Sequence, residues 1–197
     1  MDIRTRLLQA AARVYAETGF RGATTRRIAQ AAGVNEVTLF RHFGSKSRLL
    51  HEAIECSAAG DQTAPLPDTP VDPRAELLAW ARLRLKALHE RRSLIRTCMG
   101  EVEEHPDLIP QEGSATSAAA HELGAYLKRL QREGLAAPDF HPAAASVMLM
   151  GVLFADAMGR DVMPDMFNAD EGKAVTQYVD LLLRAIGAAK PEEKRQK

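Results

Sequence analysis

The side chains with the most evident chemical capacity lie between Thr24 and Lys46, in the stretch TTRRIAQAAGVNEVTLFRHFGSK. Arginine and lysine neutralise phosphate groups, whereas asparagine, glutamate and threonine exchange hydrogen bonds with the edges of bases. Such a mixture is typical of a surface that binds nucleic acid, provided that the fold presents these side chains together.

The distribution of charge supports this interpretation. The 197 residues include 26 Lys and Arg and 26 Asp and Glu, so the formal net charge is zero and composition alone indicates no polyanionic partner. The first 50 residues, however, contain nine Lys or Arg against three acids, a net charge of +6. The remainder must carry −6. The positive charge thus coincides with the stretch that could bind nucleic acid.

Two short amphipathic helices are predicted on either side of Gly33. The pair Thr24 and Thr25 offers an N-cap for the first helix, and Asn35 offers one for the second. Gly33 supplies the positive φ of a tight turn between them. Two helices joined in this way form a helix-turn-helix unit, whose second helix enters the major groove of DNA. The polar residues on the outward face of that second helix are Asn35, Glu36, Thr38 and Arg41.

Residues 24–50 resemble the N-terminal DNA-binding region of the TetR family of transcriptional regulators. The shared features are a Thr pair, an Ile-Ala step, Ala-Gly-Val, an aromatic-x-His-Phe ending, Ser-Lys and paired leucines. The resemblance implies that Thr24 and Thr25 approach phosphate, that His42 and Lys46 contact phosphate, and that residues 35–38 face the major groove. The full set of expected DNA contacts is Thr24, Thr25, Arg26, Asn35, Glu36, Val37, Thr38, Phe40, Arg41, His42 and Lys46.

Two positions in this set are unusual. The position of Phe40 is commonly Tyr in the family, and Phe lacks the hydroxyl that would donate to a phosphate, so its role here would be packing or an apolar contact. Glu36 would repel phosphates unless its carboxylate accepts a hydrogen bond from a cytosine amino group. We therefore expect Glu36 to read a cytosine.

Helical periodicity extends over the rest of the chain, and no segment has the alternating pattern of a strand, so the predicted fold is all-α, with a helix-turn-helix head and a larger helical body. Helices are predicted at about 73–91, 93–104, 114–133, 142–159 and 170–188. The predicted organisation is a head at 1–45, a connecting helix at 46–60, a linker at 61–72, a ligand-binding and dimerisation body at 73–188 and a frayed tail at 189–197.

The last two predicted helices carry apolar residues at helical spacing, and two such helices from each of two chains would form a four-helix interface with twofold symmetry. The family resemblance places a homodimer contact here; burial within the same chain is the alternative. The residues expected in the interface are Val147, Gly151, Phe154, Val179, Leu182 and Leu183.

The resemblance also implies a pocket in the body, whose small-molecule occupant releases the protein from DNA. Met adapts to varied ligand shapes, and few polar anchors are available, so a mostly apolar ligand is expected. Ordinary core packing is the alternative for each residue. The candidate lining residues are Trp80, Met99, Tyr126 and Met148.

Catalytic signatures are lacking in the sequence, so no enzyme activity, cofactor or metal is expected. Glu101 and His105 have the i, i+4 spacing of metal ligands, but an acidic helix end with a proline stop explains them as well. The N-terminus does not resemble a secretory signal, and the apolar run at 143–155 is shorter than the ~20 residues of a membrane span, so a cytoplasmic location without membrane contact is expected.

These observations predict a sequence-specific transcriptional regulator, a dimeric repressor that binds a near-palindromic DNA operator and is released by a small ligand. A transcriptional activator or a less specific DNA organiser is the first alternative. A helical small-molecule-binding or metal-dependent enzyme that uses Glu101 and His105 is the more distant one.

Overall fold

A computed structural model describes residues 1–59, 65–108 and 115–188. Within these ranges the regular structure is helical and no strand occurs, which confirms the predicted all-α fold. The helices are α1 (Ile3–Gly22), α2 (Thr25–Ala32), α3 (Glu36–Phe43), α4 (Lys46–Ala59), α5 (Pro73–Glu90), α6 (Arg92–Gly100), α7 (Ala115–Arg132), α8 (Pro142–Gly159) and α9 (Glu171–Ala185). Short 3₁₀ turns lie at Pro106–Leu108 and Pro164–Met166.

The described residues of 1–62 and 91–116 form one compact unit, which contains α1 to α4 and α6. Its core is aliphatic with two aromatic side chains, because each amphipathic helix turns its apolar face inward. The largest fully buried members are Leu7, Tyr15, Ile28, Leu39, Phe43, Leu49, Leu50 and Leu108. Leu39 and Phe43 are thus the inward face of α3, as the sequence pattern predicts.

The described residues of 63–90 and 117–197 form a second compact unit, which contains α5, α7, α8 and α9. Its core is built around the two buried aromatic residues Trp80 and Tyr126. Aliphatic residues from all four helices surround them, including Leu77, Leu85, Leu123, Leu127, Leu149, Leu153, Val175 and Val179.

The division into units differs from the domain boundaries expected from sequence, which place residues 73–188 together. Helix α6 packs with the N-terminal helices, because its Leu94 is buried in the same apolar cluster as Leu7 and Leu50, and Leu108 of the following 3₁₀ turn belongs to that cluster too. The predicted linker at 61–72 is described from residue 65 onward, and the predicted tail at 189–197 lies outside the described residues.

Helix α8 is distinguished by its composition. Its 18 residues, Pro142–Gly159, are long and apolar enough to cross a membrane by length and composition, with a mean hydropathy of 1.5. Core helices of soluble proteins share these properties, so length and composition alone do not place α8 in a bilayer. Only 39% of the helix is buried inside the chain, however, so α8 presents an apolar surface beyond its own unit's core.

Candidate nucleic-acid interface

Helix α2 is fixed at both ends by local and long-range hydrogen bonds. The Thr24 hydroxyl accepts from the amide of Arg27 at 3.3 Å, which caps the N-terminus as predicted. At the C-terminus, Arg6 of α1 donates from Nε to the carbonyl of Ala32 at 3.0 Å and from Nη2 to the carbonyl of Gly33 at 3.1 Å. A cation beside the last carbonyls complements the helix dipole, so Arg6 stabilises the end of α2 and the turn that follows it.

The turn between α2 and α3 has the predicted geometry. Gly33 has φ 66° and ψ 38°, a left-handed conformation that costs little only for glycine. The amide of Val34 donates to the carbonyl of Ala29 at 3.0 Å, which closes the last turn of α2. Asn35 then caps α3, because its side-chain oxygen accepts from the amide and the hydroxyl of Thr38, both at 2.8 Å.

A hydrogen bond between side chains joins α2 and α3 directly. The Thr25 hydroxyl donates to Oε1 of Glu36 at 2.6 Å. Thr25 begins α2 and Glu36 begins α3, so the bond fixes the angle between the helices at their N-terminal ends. One oxygen of the carboxylate that is expected to read a cytosine therefore already has a partner inside the protein.

The outward face of α3 is formed by residues opposite Leu39 and Phe43. Val37 is 76% exposed and Phe40 is 47% exposed. Arg41 and His42 are also exposed, and both lie in the last turn of the helix. The major groove of B-DNA is wide enough to admit an α-helix, and the exposed side chains of α3 could then contact base edges.

Positive charge surrounds this face. Between Glu17 and Glu52 the sequence has six Lys or Arg residues, and Glu36 is its single acid. Arg26 and Arg27 are exposed in the first turn of α2, where a phosphate would meet both their charge and the helix N-terminus. The predicted contacts at Thr24, Arg26 and Arg41 therefore lie at the solvent-exposed surface of the unit.

Lys46 has a different environment from the one expected of a phosphate contact. Its ammonium group donates to the carbonyl of Phe20 at 2.6 Å and lies 3.8 Å from the centroid of the Phe20 ring. Burial lowers the pKa of Lys46, and the nearby Glu101 carboxylate partly offsets this. An ammonium group has three donors, so the bond to Phe20 leaves capacity for a phosphate.

Phe20 is also held from α6. The Glu101 carboxylate accepts from the Phe20 amide, with Oε1 at 2.9 Å and Oε2 at 3.0 Å. The ring of His105 packs on the Phe20 ring with centroids 3.9 Å apart. The two residues considered as metal ligands therefore both contact Phe20, and the described part of the chain holds no group of three His, Cys, Asp or Glu suited to a metal ion.

Comparison with known proteins assigns this geometry to a family. Residues 7–53 match the family model described as bacterial regulatory proteins, tetR family. Residues 7–53 therefore have the N-terminal DNA-binding region of the tetR family of bacterial regulatory proteins. The resemblance read from residues 24–50 is thereby confirmed.

Two relatives and one solved structure illustrate the extent of the similarity. The uncharacterized transcriptional regulator YvkB of Bacillus subtilis is 26% identical over 184 residues, which cover 93% of this chain and 96% of YvkB. The repressor KstR2 of Rhodococcus jostii is 45% identical over 51 residues, which cover 26% of this chain and 25% of KstR2. The crystal structure of AibR with isovaleryl coenzyme A and operator DNA has a TM-score of 0.63 at 17% identity and covers 95% of this chain and 100% of AibR, which shows a shared fold.

The residues expected at a TetR-type dimer interface divide into two groups. Val147 is 66% exposed on α8, Gly151 is also exposed, and Phe154 is half-buried. Val179, Leu182 and Leu183, by contrast, are buried in the core of their own unit. The helical phase of α9 turns these three residues inward, and Leu181, at 59% exposure, occupies the outward position instead.

The four residues expected to line a ligand pocket differ in their unit and in their burial. Met99 belongs to the first unit and is 56% exposed, and Met148 is 66% exposed on α8. Trp80 and Tyr126 are fully buried in the second unit, where each polar atom has a carboxylate partner, Glu122 for the indole and Glu76 for the phenol. A surface cleft of about 400 Å³ in the second unit is lined by other residues, Arg82, Asp170, Gly172, Lys173, Thr176 and Gln177.

Sequence reasoning did not identify three residues that hold the helix-turn-helix in place. The sequence pattern alone assigns none of Arg6, Phe20 and Glu101 to the support of this unit. The partners of Arg6 and Glu101 lie 26 and 81 residues away, so local spacing carries little information about them. For Phe20, the positive φ of Gly19, at 65°, marks the break in α1 that exposes its amide and carbonyl to these partners.

Proposed function

We propose that this chain is a TetR-type repressor that binds a near-palindromic operator as a homodimer and is released by a small, mostly apolar ligand. The observation that carries the DNA-binding part is the exposed face of α3, set by Gly33, Asn35 and the bond from Thr25 to Glu36. Hydrogen bonds hold both ends of α2 and the start of α3, and the charge around these helices is positive. Rigid presentation of a helix is required for base-specific contacts.

Dimer formation is supported by the exposed apolar surface of α8. Ala144, Val147, Met148, Gly151 and Ala155 are all exposed, and they recur at i, i+3, i+4, i+7 and i+11 along one face. The small residues among them, Ala144, Gly151 and Ala155, allow two helices to approach closely. A second copy of this chain would cover the face with its own α8, and twofold symmetry would give each operator half-site one α3.

Release by a ligand is what the family resemblance implies, and AibR, whose structure contains isovaleryl coenzyme A and operator DNA, supports only the binding of a small molecule by a protein of this fold. A ligand changes DNA affinity only if it binds the released state more tightly than the DNA-bound state. A screen for compounds that displace the operator tests this part. Displacement by highly charged compounds alone would contradict an apolar inducer.

The primary experiment is selection from random double-stranded DNA by the purified full chain at near-physiological salt. The expected product is an inverted repeat whose half-site centres are about 34 Å apart on one face of the duplex. A scrambled duplex of the same composition is the reference for specific binding. A folded, dimeric chain that enriches no sequence would contradict specific recognition and favour the less specific organiser.

A variant with Arg26→Gln and Arg27→Gln serves as a control for the electrostatic contribution. Phosphate contacts carry no direct sequence information, so the variant should bind all duplexes more weakly and keep the same base preferences. The slope of log affinity against log salt should become smaller by about 0.9 for each phosphate that the variant no longer neutralises. A changed base preference would show that one of these arginines reaches a base.

A further inference from the structure

The most exposed side chains on α3 include two that are apolar. Val37 is 76% exposed and lies on the face opposite the buried Leu39 and Phe43, and Phe40 is 47% exposed at the edge of that face. With Arg41 they occupy positions i, i+3 and i+4, so the three side chains are neighbours on the helix surface. A helix destined for water alone would gain nothing from a valine and a phenylalanine at these positions.

The polar side chains at the start of α3 are engaged within the protein. The Asn35 oxygen accepts from the amide and hydroxyl of Thr38, and Glu36 accepts from the Thr25 hydroxyl. These bonds hold the side chains against the first turn of α3 and against α2. The central part of the exposed face is therefore apolar, with a guanidinium group beside it.

The occupant of this face must combine negative charge with an apolar group of small size. Exposed Arg26, Arg27 and Arg41 provide positive charge around the pair, which fits a polyanion. In the major groove of DNA the apolar group available at a base edge is the C5-methyl of thymine, and aromatic and aliphatic side chains contact it. Val37 and Phe40 match that group in polarity and reach.

We propose that Val37 and Phe40 read thymine methyl groups, so that each operator half-site contains at least one thymine whose methyl is needed for tight binding. This inference rests on the proposed function, because it requires α3 to enter the major groove. It assigns the base preference to a methyl contact, which is distinct from the hydrogen bond to cytosine expected of Glu36.

The test uses the duplex enriched by selection, synthesised with deoxyuridine in place of each thymidine in turn. Deoxyuridine keeps the hydrogen-bonding groups of thymine and lacks only the C5-methyl. Removal of one contacted methyl should weaken binding about fourfold, and substitution in both half-sites about fifteenfold. Val37→Ala and Phe40→Ala should each bind the thymine duplex more weakly, and the double variant should bind the thymine and uracil duplexes equally.

Two variants serve as controls. Phe40→Tyr keeps the aromatic ring and should retain sensitivity to the methyl group. Val71→Ala makes the same side-chain change as Val37→Ala at a residue of the second unit that is 85% exposed, and it should leave both affinities unchanged. Folding of every variant is checked by circular dichroism, and little effect on the fold is expected because Val37 and Phe40 lie outside the core.

The outcomes separate this inference from the proposed function. An enriched inverted repeat whose affinity changes less than twofold at every uracil substitution would overturn the methyl contact and leave the operator-binding proposal intact. The same holds for an enriched half-site without thymine, or for a double variant that still distinguishes thymine from uracil. Failure to enrich any sequence would overturn both.

Discussion

The carboxylate of Glu101 accepts hydrogen bonds from the amide of Phe20 through both oxygens, at 2.9 and 3.0 Å. Glu101 caps the end of α6, and Phe20 follows the break in α1 that leads into the helix-turn-helix. The Phe20 carbonyl in turn accepts from Lys46 at the start of α4. One residue of α1 thus connects the end of α6 to the helix that follows α3.

Replacement of Glu101 should loosen this connection. Glu101→Ala removes a charged acceptor from the Phe20 amide and should lower the free energy of unfolding by about 1.5–3 kcal/mol. Glu101→Gln keeps an oxygen acceptor without the charge and should cost less. Urea denaturation measures the loss, and hydrogen exchange at the Phe20 amide locates it. Equal protection of that amide in wild type and Glu101→Ala would contradict the role of the carboxylate.

A double-mutant cycle with Gly19 tests the same interaction from the other side. Gly19 has φ 65°, and a Cβ at this position would lie 2.5 Å from Oε1 of Glu101. Gly19→Ala should therefore destabilise the chain both through backbone strain and through displacement of the carboxylate. In a Glu101→Ala background only the strain remains, so the cost of Gly19→Ala should be smaller by about 0.5–3 kcal/mol. Additive effects would show that the two residues are independent.

Glu36 is expected to discriminate cytosine, although one of its oxygens already accepts from Thr25. Sequence selection with Glu36→Ala should lose the preference for cytosine at one half-site position, a discrimination worth about 1–3 kcal/mol. Thr25→Val removes only the hydroxyl partner, and it should weaken binding while the cytosine preference persists. An unchanged preferred site in Glu36→Ala would show that the carboxylate serves only to join α2 and α3.

The helix-turn-helix could be read from sequence because its determinants are local. Leu39 and Phe43 follow helical periodicity, and Gly33 and Asn35 act on the residues beside them. Arg6 and Glu101 could not be read in the same way, because their partners become neighbours only when α1 packs against α2 and α6. The leucines at 181–183 show a further limit: three adjacent identical residues leave the phase of the helix undetermined, and packing places Leu181 outward.

The second unit contains a buried polar group that should make stability depend on alkaline pH. Asp156 is fully buried, and it accepts from Arg160 through both oxygens at 2.6 Å and from the Tyr178 hydroxyl at 2.8 Å. Burial, together with the hydrogen bond to Asp156, raises the pKa of Tyr178 from 10.0 to about 12. The protonated phenol is therefore favoured in the folded state.

The sign of the pH effect follows from this shift. The contribution of Tyr178 should be fully present below pH 10 and should be lost as the pH rises towards 12. Tyr178→Phe should cost about 1.5–3 kcal/mol at pH 7, because the bond is made to a charged acceptor. The difference between the two proteins should narrow at pH 11. Parallel loss of stability in both proteins between pH 7 and 11 would contradict the assignment.

The apolar face of α8 can be tested at a position where an added side chain meets nothing within the chain. A Cβ added at Gly151 would meet no heavy atom within 4 Å, so Gly151→Arg leaves the packing of the monomer undisturbed. In a symmetric dimer the same side chain would hold the two α8 helices apart and bury a charge, and either effect favours dissociation.

Gly124→Arg is the matched control, since Gly124 lies within α7 and also has no heavy atom within 4 Å of an added Cβ. Sedimentation equilibrium should show monomers for Gly151→Arg and dimers for wild type and Gly124→Arg, with operator affinity falling in parallel. A dimeric Gly151→Arg variant would move the interface away from this face of α8.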